Sequence, residues 1–353
     1  MKIISAILFL MLLTLPAHLL SQTSQPDSKV QKGGKTLVSV PVTVSDREGR
    51  YISGLKKEDF NVFEDGARQN IAFFATEDEP LSVALVLDTS GSTRDVLDKI
   101  KGAARDFIEL LNPNDRCQIA TFDSQVRILN PFASDKQTLL SSLEKARTAT
   151  EDGTVMFRAV EQVARQSFAD IQGRKVIVLL SDGKDFGSPV TKDELLSLLE
   201  ELDVMIYTVF YQTGASSAKL AVAPDGTIKQ EKETPKPKEK KAPKKKKGYT
   251  IFIPVPGEVY TEQDVKLTEK ASDAEAVNSL KQMSDATAGR FYTSDTPNLG
   301  GIFKKIAGEL RQQYRLGYYT KDASDAAVHE IIVKVERADA VVRARGKFRS
   351  KPL

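Results

Sequence analysis

The chain changes its hydrophobic rhythm three times. In "TLVSVPVTVSD" the residues Val38, Val40, Val42 and Val44 alternate with small or polar neighbours, which predicts a half-buried strand. "DREG" and "EDGA" read as turns around Phe60 and Val62, and a further strand covers 71–74. From Leu81 the alternation gives way to short apolar runs, and strands are predicted at 82–87, 118–122, 126–129, 176–180 and 204–210. Between them Val96, Leu97, Ile100, Ala103, Ala104, Phe107, Ile108 and Leu111 recur at helical spacing. Leu139, Leu140, Leu143 and Ala146 do the same, then Val160, Val163, Ala164 and Phe168, and later Leu299, Ile302, Phe303, Ile306 and Leu310. The tail returns to strands: Ile331, Val333 and Val335 share a face, "RADA" turns, and 341–344 comes back.

Strand–helix alternation in the middle of the chain predicts an α/β fold with a Rossmann-like, mostly parallel sheet flanked by helices. The strands before and after it predict a small antiparallel β unit, built from 37–79 and 315–353, into which the α/β domain of 80–314 is inserted. Between about 212 and 268 the regularity fails. "KQEKETPKPKEKKAPKKKKG" is nearly free of apolar residues and is expected to be a disordered surface loop. "AVNSLKQMSDATAGRFYTS" then reads as a helix, a Gly turn and a short strand.

Charge and rare residues narrow the chemistry. The net charge of +3 over 353 residues arises from one segment: from Lys229 to Lys247 there are ten Lys and three Glu. Such a run is a solvated loop or a contact for an anionic lipid or envelope polymer. It lacks interleaved aromatics, so no nucleic acid is expected as a partner. Residues 1–21, with Lys2 ahead of an apolar run that ends at Leu15 and a following Pro16, have the layout of a secretory signal. Residues 22–36 are a polar, flexible lead-in. The expectation is an exported, periplasmic or secreted chain with no transmembrane segment after cleavage. Cys117 is the only cysteine, which excludes an internal disulfide and reads as a buried thiol. Of two histidines, His18 falls in the signal and His329 in a strand, so neither a histidine general base nor a His-rich zinc site is expected.

The stretch "LSVALVLDTSGST" concentrates chemistry. A buried strand ends in Asp88, and Ser90 and Ser92 follow in the loop to the next helix. Ligands of open parallel sheets sit just beyond the carboxyl ends of the strands. "KVIVLL" ends in "SDGKD", which brings Asp182 to the same edge, and "EDGTVMF" puts Thr154 before another helix. Carboxylates and hydroxyls make an all-oxygen shell suited to a hard cation such as Mg²⁺, Mn²⁺ or Ca²⁺. Asp185 reads as a surface charge. The alternatives are Ser90 and Ser92 as mere helix caps, and a Mg-dependent phosphohydrolase. The latter lacks a second Asp two residues after Asp88, a position held by Ser90, and phosphate-loop and nucleophile-elbow motifs are missing.

"DTSGS", the later "GT" and the "SDG" after an apolar strand together resemble the von Willebrand factor type A domain. The resemblance covers about 80–314, and "SGLKKEDFNVFEDGARQNI" and "LRQQYRLGYY" resemble exported bacterial members with the domain set in a β unit. It implies a metal-ion-dependent adhesion site with Asp88, Ser90, Ser92, Thr154 and Asp182 as ligands, some through water, and one open position. That position would accept an Asp or Glu of a protein partner, which is binding rather than enzymatic turnover. One Gly precedes Thr154 where many relatives have two, and the Lys-rich insertion is unusual.

Overall fold

The computed structural model describes residues 36–76, 79–151, 153–212, 220–222, 228–230, 262–294, 298–320 and 327–350. The expected signal and lead-in lie outside the described residues, apart from Thr36, and so does most of the Lys-rich run.

The chain opens with β1 (Leu37–Ser45), β2 (Phe60–Glu64), β3 (Ala67–Gln69) and β4 (Ile71–Ala75). The middle runs β5 (Leu81–Asp88), α1 (Leu97–Leu110), β6 (Arg116–Phe122), β7 (Val126–Ile128), α2 (Lys136–Leu143) and α3 (Met156–Gln162). It continues through β8 (Arg174–Ser181), α4 (Lys192–Glu201), β9 (Met205–Tyr211), β10 (Leu220–Val222) and β11 (Ile228–Gln230). After α5 (Glu262–Ala286), β12 (Phe291–Ser294) and α6 (Leu299–Leu310), the tail adds β13 (Gln313–Tyr319), β14 (Val328–Val335), β15 (Val341–Ala344) and β16 (Lys347–Arg349).

The central sheet has the order β12-β9-β8-β5-β6-β7, parallel except for β7. Every residue of β5 is buried, because helices cover both faces. Val83, Leu85 and Leu87 pack with Ile100, Phe107 and Phe303 on one side. Ala84 and Val86 pack with Met156, Val160, Leu195 and Leu280 on the other. Alternate side chains of one strand thus feed two separate cores, which is why its sequence is a continuous apolar run. Cys117 is buried in the first of these cores, and burial pushes its thiol up to about 12.

The two chain ends build two antiparallel sheets, β15-β1-β13-β4 and β16-β14-β2-β3, around one shared core. Each sheet mixes strands from both ends: β1 pairs with β13 and β15, and β14 pairs with β2. Two expectations need correction. β1 is buried on both faces rather than half-buried, because the residues between the valines also have cover: Thr43 accepts a hydrogen bond from Arg343 at 3.3 Å, and Arg343 reaches on to Gly289 O. The stretch 212–268 is not uniformly irregular: β10 and β11 pair as an antiparallel hairpin, and α5 begins at Glu262. Gly289, in the predicted turn, lies so close to β9 that a Cβ there would come within 1.9 Å of Ile206 O.

Candidate metal centre

The sheet order places a switch point at the centre. From β5 the chain moves outward to β6 and β7 and then returns to β8 on the other side of β5. The carboxyl ends of β5 and β8 therefore lie side by side while their following loops part, which leaves a crevice. In register Leu87 stands beside Leu180, so Asp88 ends level with Ser181.

Asp88 is fully buried, and both of its oxygens are occupied. Oδ1 accepts the Ser90 amide at 2.9 Å and the Ser90 hydroxyl at 2.5 Å, while Oδ2 accepts the Ser181 hydroxyl at 2.7 Å. The Ser90 and Ser92 hydroxyl oxygens are 3.2 Å apart, and Ser92 donates to Asp182 Oδ2 at 3.0 Å. Asp88, Ser90, Ser92 and Asp182 are thereby joined in one row of oxygens. The helix-cap alternative fails here: the residue that caps α1 is Val96, and neither serine hydroxyl bonds the helix backbone. Ser90 and Asp182 are buried, whereas Ser92 is exposed, so the row opens to solvent at Ser92.

A proton count exposes what the row lacks. Each serine hydroxyl carries one proton. With both acids ionised, the Ser90 proton points to Asp88 and the Ser92 proton to Asp182. No proton remains for the 3.2 Å contact between the two hydroxyl oxygens, so lone pairs face each other between two carboxylates. Burial, and then the Asp182 charge, push the Asp88 carboxyl up to about 7 against the pull of Ser90 and Ser181. Tyr211, at the end of β9, is fully buried and its hydroxyl has no hydrogen-bond partner. Burial and the charges of Asp88 and Asp182 hold that phenol well above its ordinary range. A buried acid pair, opposed lone pairs and an orphaned hydroxyl fit a hard divalent cation with water in its shell.

Thr154 sits on the adjoining loop and takes no part in the row. Its backbone pairs with Phe186 in both directions, N–H to O at 3.2 Å and O from N–H at 2.7 Å. This bridge ties the Thr154 loop to the loop that leaves Asp182. Phe186 itself is 63% exposed beside the site. Asp185 is not a free surface charge: its Oδ1 accepts the Phe157 amide at 2.9 Å and the Ser188 hydroxyl at 2.6 Å, so it caps α3 from a neighbouring loop. Gly183 has φ +76°, and a Cβ there would stand 2.8 Å from Ala276 O, so the loop leans directly on α5. The sequence reading missed Ser181, Tyr211 and the role of Asp185. The signal for Ser181 was a hydroxyl as last residue of a strand, readable only once β8 is known to lie beside β5.

The family model of the von Willebrand factor type A domain matches residues 83–184, which include all five candidate ligands. Comparison with curated proteins gives no match. Among solved structures, the chain is similar to the conserved hypothetical protein BatB from Bacteroides thetaiotaomicron, at 15% identity and a TM-score of 0.42, covering 65% of this chain and 97% of that one. An aerotolerance-related membrane protein from Bacteroides fragilis matches at 15% identity and TM-score 0.42, covering 65% and 98%. Proximal thread matrix protein 1 from the mussel byssus, in a structure with a zinc-occupied MIDAS motif, matches at 14% identity and TM-score 0.47 over 71% of this chain and 50% of its own.

Proposed function

Taking residues 83–184 as a von Willebrand factor type A domain, we propose that this protein is an exported, metal-ion-dependent protein-binding module. The observation that carries the reading is the row Asp88–Ser90–Ser92–Asp182, two carboxylates and two hydroxyls joined at one sheet edge. Asp88, Ser90, Ser92, Thr154 and Asp182 are the proposed ligands, and Mg²⁺ the proposed ion, because every donor is a hard oxygen. When bound, the ion supplies an electrophilic position at the rim that a partner's Asp or Glu completes.

The chain's own residues do the rest. Asp88 and Asp182 offset a divalent charge, and the neutral hydroxyls add donors without adding charge. Ser181 fixes the second oxygen of Asp88, which leaves its first oxygen to face the serines. The Thr154–Phe186 bridge holds two loops together beside the crevice and presents an exposed ring next to it. An acidic partner residue with an apolar neighbour suits that surface. Binding is favoured over turnover because the described histidine, His329, belongs to β14 in another sheet. Export rests on the apolar run ahead of Pro16; among the described residues no helix is long and apolar enough to cross a membrane.

Magnesium titration calorimetry of the wild type, Asp88→Ala and Asp182→Ala tests the ligand set. Binding is expected to vanish in both variants while circular dichroism stays unchanged. Undiminished magnesium affinity in either variant rejects the assignment. A pull-down from envelope extract with and without chelator then tests the partner: capture that persists in chelator rules out shared coordination.

A further inference from the structure

We infer that the first half of β1 is an open sheet edge that receives an extended segment of a partner protein as an added strand. Hydrogen bonds alternate along an antiparallel strand, so successive residues of β1 bond to opposite neighbours. Thr320 N–H donates to Thr36 O at 3.0 Å, and the register turns the backbone groups of Val38, Val40 and Val42 toward β13 in the same way. Those of Leu37, Ser39 and Pro41 therefore face the other side. There β15 takes up only the second half of β1, from Val42 opposite Ala344 to Ser45 opposite Val341. After Ala344 the chain leaves for the second sheet: Gly346 O accepts Ile331 N–H at 2.8 Å, and Lys347 pairs with Glu330. Among the described residues no strand takes its place beside Leu37 and Ser39. Pro41 stands at the break and has no N–H to offer on the vacated side, as suits a strand edge.

The vacated edge borders a groove of about 910 Å³ between the β unit and the α/β part. Phe168, Leu198, Leu202 and Val204 line it from the α/β side and Phe348 from the other. Two polar atoms of its lining have no hydrogen-bond partner among the described residues: the hydroxyl of Ser39, a residue 9% exposed, and the buried Asp203 Oδ2. Buried polar atoms left in that state are costly and call for a specific cause. Arg345 does not serve them, because its guanidinium donates to the carbonyls of Lys347, Leu202 and Glu200, the last two at the end of α4. An added strand answers each feature. Its backbone pairs with Leu37 and Ser39, and its alternate side chains meet the two apolar walls. A Ser or Thr opposite Ser39 lies on the same face as the orphaned hydroxyl and bonds it. The edge is recessed, with Leu37 and Val38 7% and 5% exposed, so the edge strand of a folded domain, a second copy of this one included, is kept out. A chain terminus or an extended loop enters. Lys175, near the start of β8, and Val204, just ahead of β9, place the groove at the amino ends of the central sheet, away from Asp88.

The test uses the full chain. A phage-displayed library of random peptides is selected on the wild type and counter-selected on Ser39→Pro, which removes one N–H from the open edge and none from the β13 ladder. Selected peptides are then synthesised with a single backbone N-methyl group moved along them. They are expected to carry a Ser or Thr between apolar residues. N-methylation is expected to weaken binding about tenfold or more at every second position and little in between. Amide hydrogen exchange of the wild type supplies a readout that needs no variant: Leu37 and Ser39 are expected to exchange faster than Val38 and Val40, and to slow when peptide binds. Circular dichroism of Ser39→Pro is expected to match the wild type. A selection that yields no peptide dependent on Ser39, or N-methyl effects without a period of two, overturns the inference. So do Leu37 and Ser39 amides already protected in the free chain, since the groove would then be filled by the chain's own residues or by a second copy.

Discussion

Asp88 shows how a single side chain is placed by groups near and far in sequence. Its partner Ser90 is local, and Ser92, which bonds Asp182, follows two residues on; their spacing after an apolar strand made both readable, as was Asp182 at the end of another parallel strand. Ser181 was not readable, because its bond to Asp88 depends on which strand lies beside β5. Asp185 was misread for the same reason: it caps α3 from 28 residues away, and no local pattern announces a cap across two loops. That cap yields a prediction. Removing a carboxylate that accepts from a helix N-terminus costs about 1–2 kcal/mol. Asp185→Ala is therefore expected to lower the urea midpoint accordingly. It should also weaken magnesium binding without abolishing it, since α3 begins two residues after Thr154. A variant with unchanged midpoint and unchanged affinity would separate Asp185 from the site.

Elements were legible where an apolar face repeats and obscure where it does not. α1 and α6 each show a clean stripe, and the structure packs those stripes together, with Phe107 edge-on to Phe303 at 5.4 Å. The first half of α5 is written mostly in polar residues, so no period marks its start; in its second half Ala276, Val277, Leu280 and Met283 are buried at helical spacing. β1 was read as half-buried because its intervening residues are small or polar, yet those residues are covered too, Thr43 by Arg343 of β15. The α1–α6 contact matters for the rim because it fixes one face of β5. Phe107 is fully buried, so Phe107→Ala leaves a cavity in that layer and is expected to cost about 3–5 kcal/mol in chemical denaturation. A loss below about 1 kcal/mol would mean that the layer collapses to refill the space.

For the molecule as a whole, the decisive contact is the one that seats the α/β part on the β unit. Glu309 of α6 is fully buried. It accepts Tyr207 Oη from β9 at 2.6 Å and Tyr51 Oη, from the loop after β1, at 2.7 Å. It also pairs with Arg343 of β15 and, at 3.2 Å, with Arg290. Arg343 continues to Gly289 O at 2.6 Å, so one guanidinium binds three elements from both parts. Burial alone would push the Glu309 carboxyl up, but Arg343, Arg290 and the two phenols hold it below the ordinary carboxylate range. Its charged form is thus favoured by the fold. The stability it contributes is complete above the pKa of an unfolded glutamate and is lost as pH falls through the lowered folded value. Two outcomes follow from this sign. Arg343→Met strands a buried charge and is expected to cost about 3–5 kcal/mol at neutral pH. Glu309→Gln is expected to lower Tm at pH 7 but to flatten its decline between pH 5 and 3. Thermal melts across that range decide the matter: an acid limb in Glu309→Gln as steep as in the wild type would show that the joint does not sense the charge of Glu309.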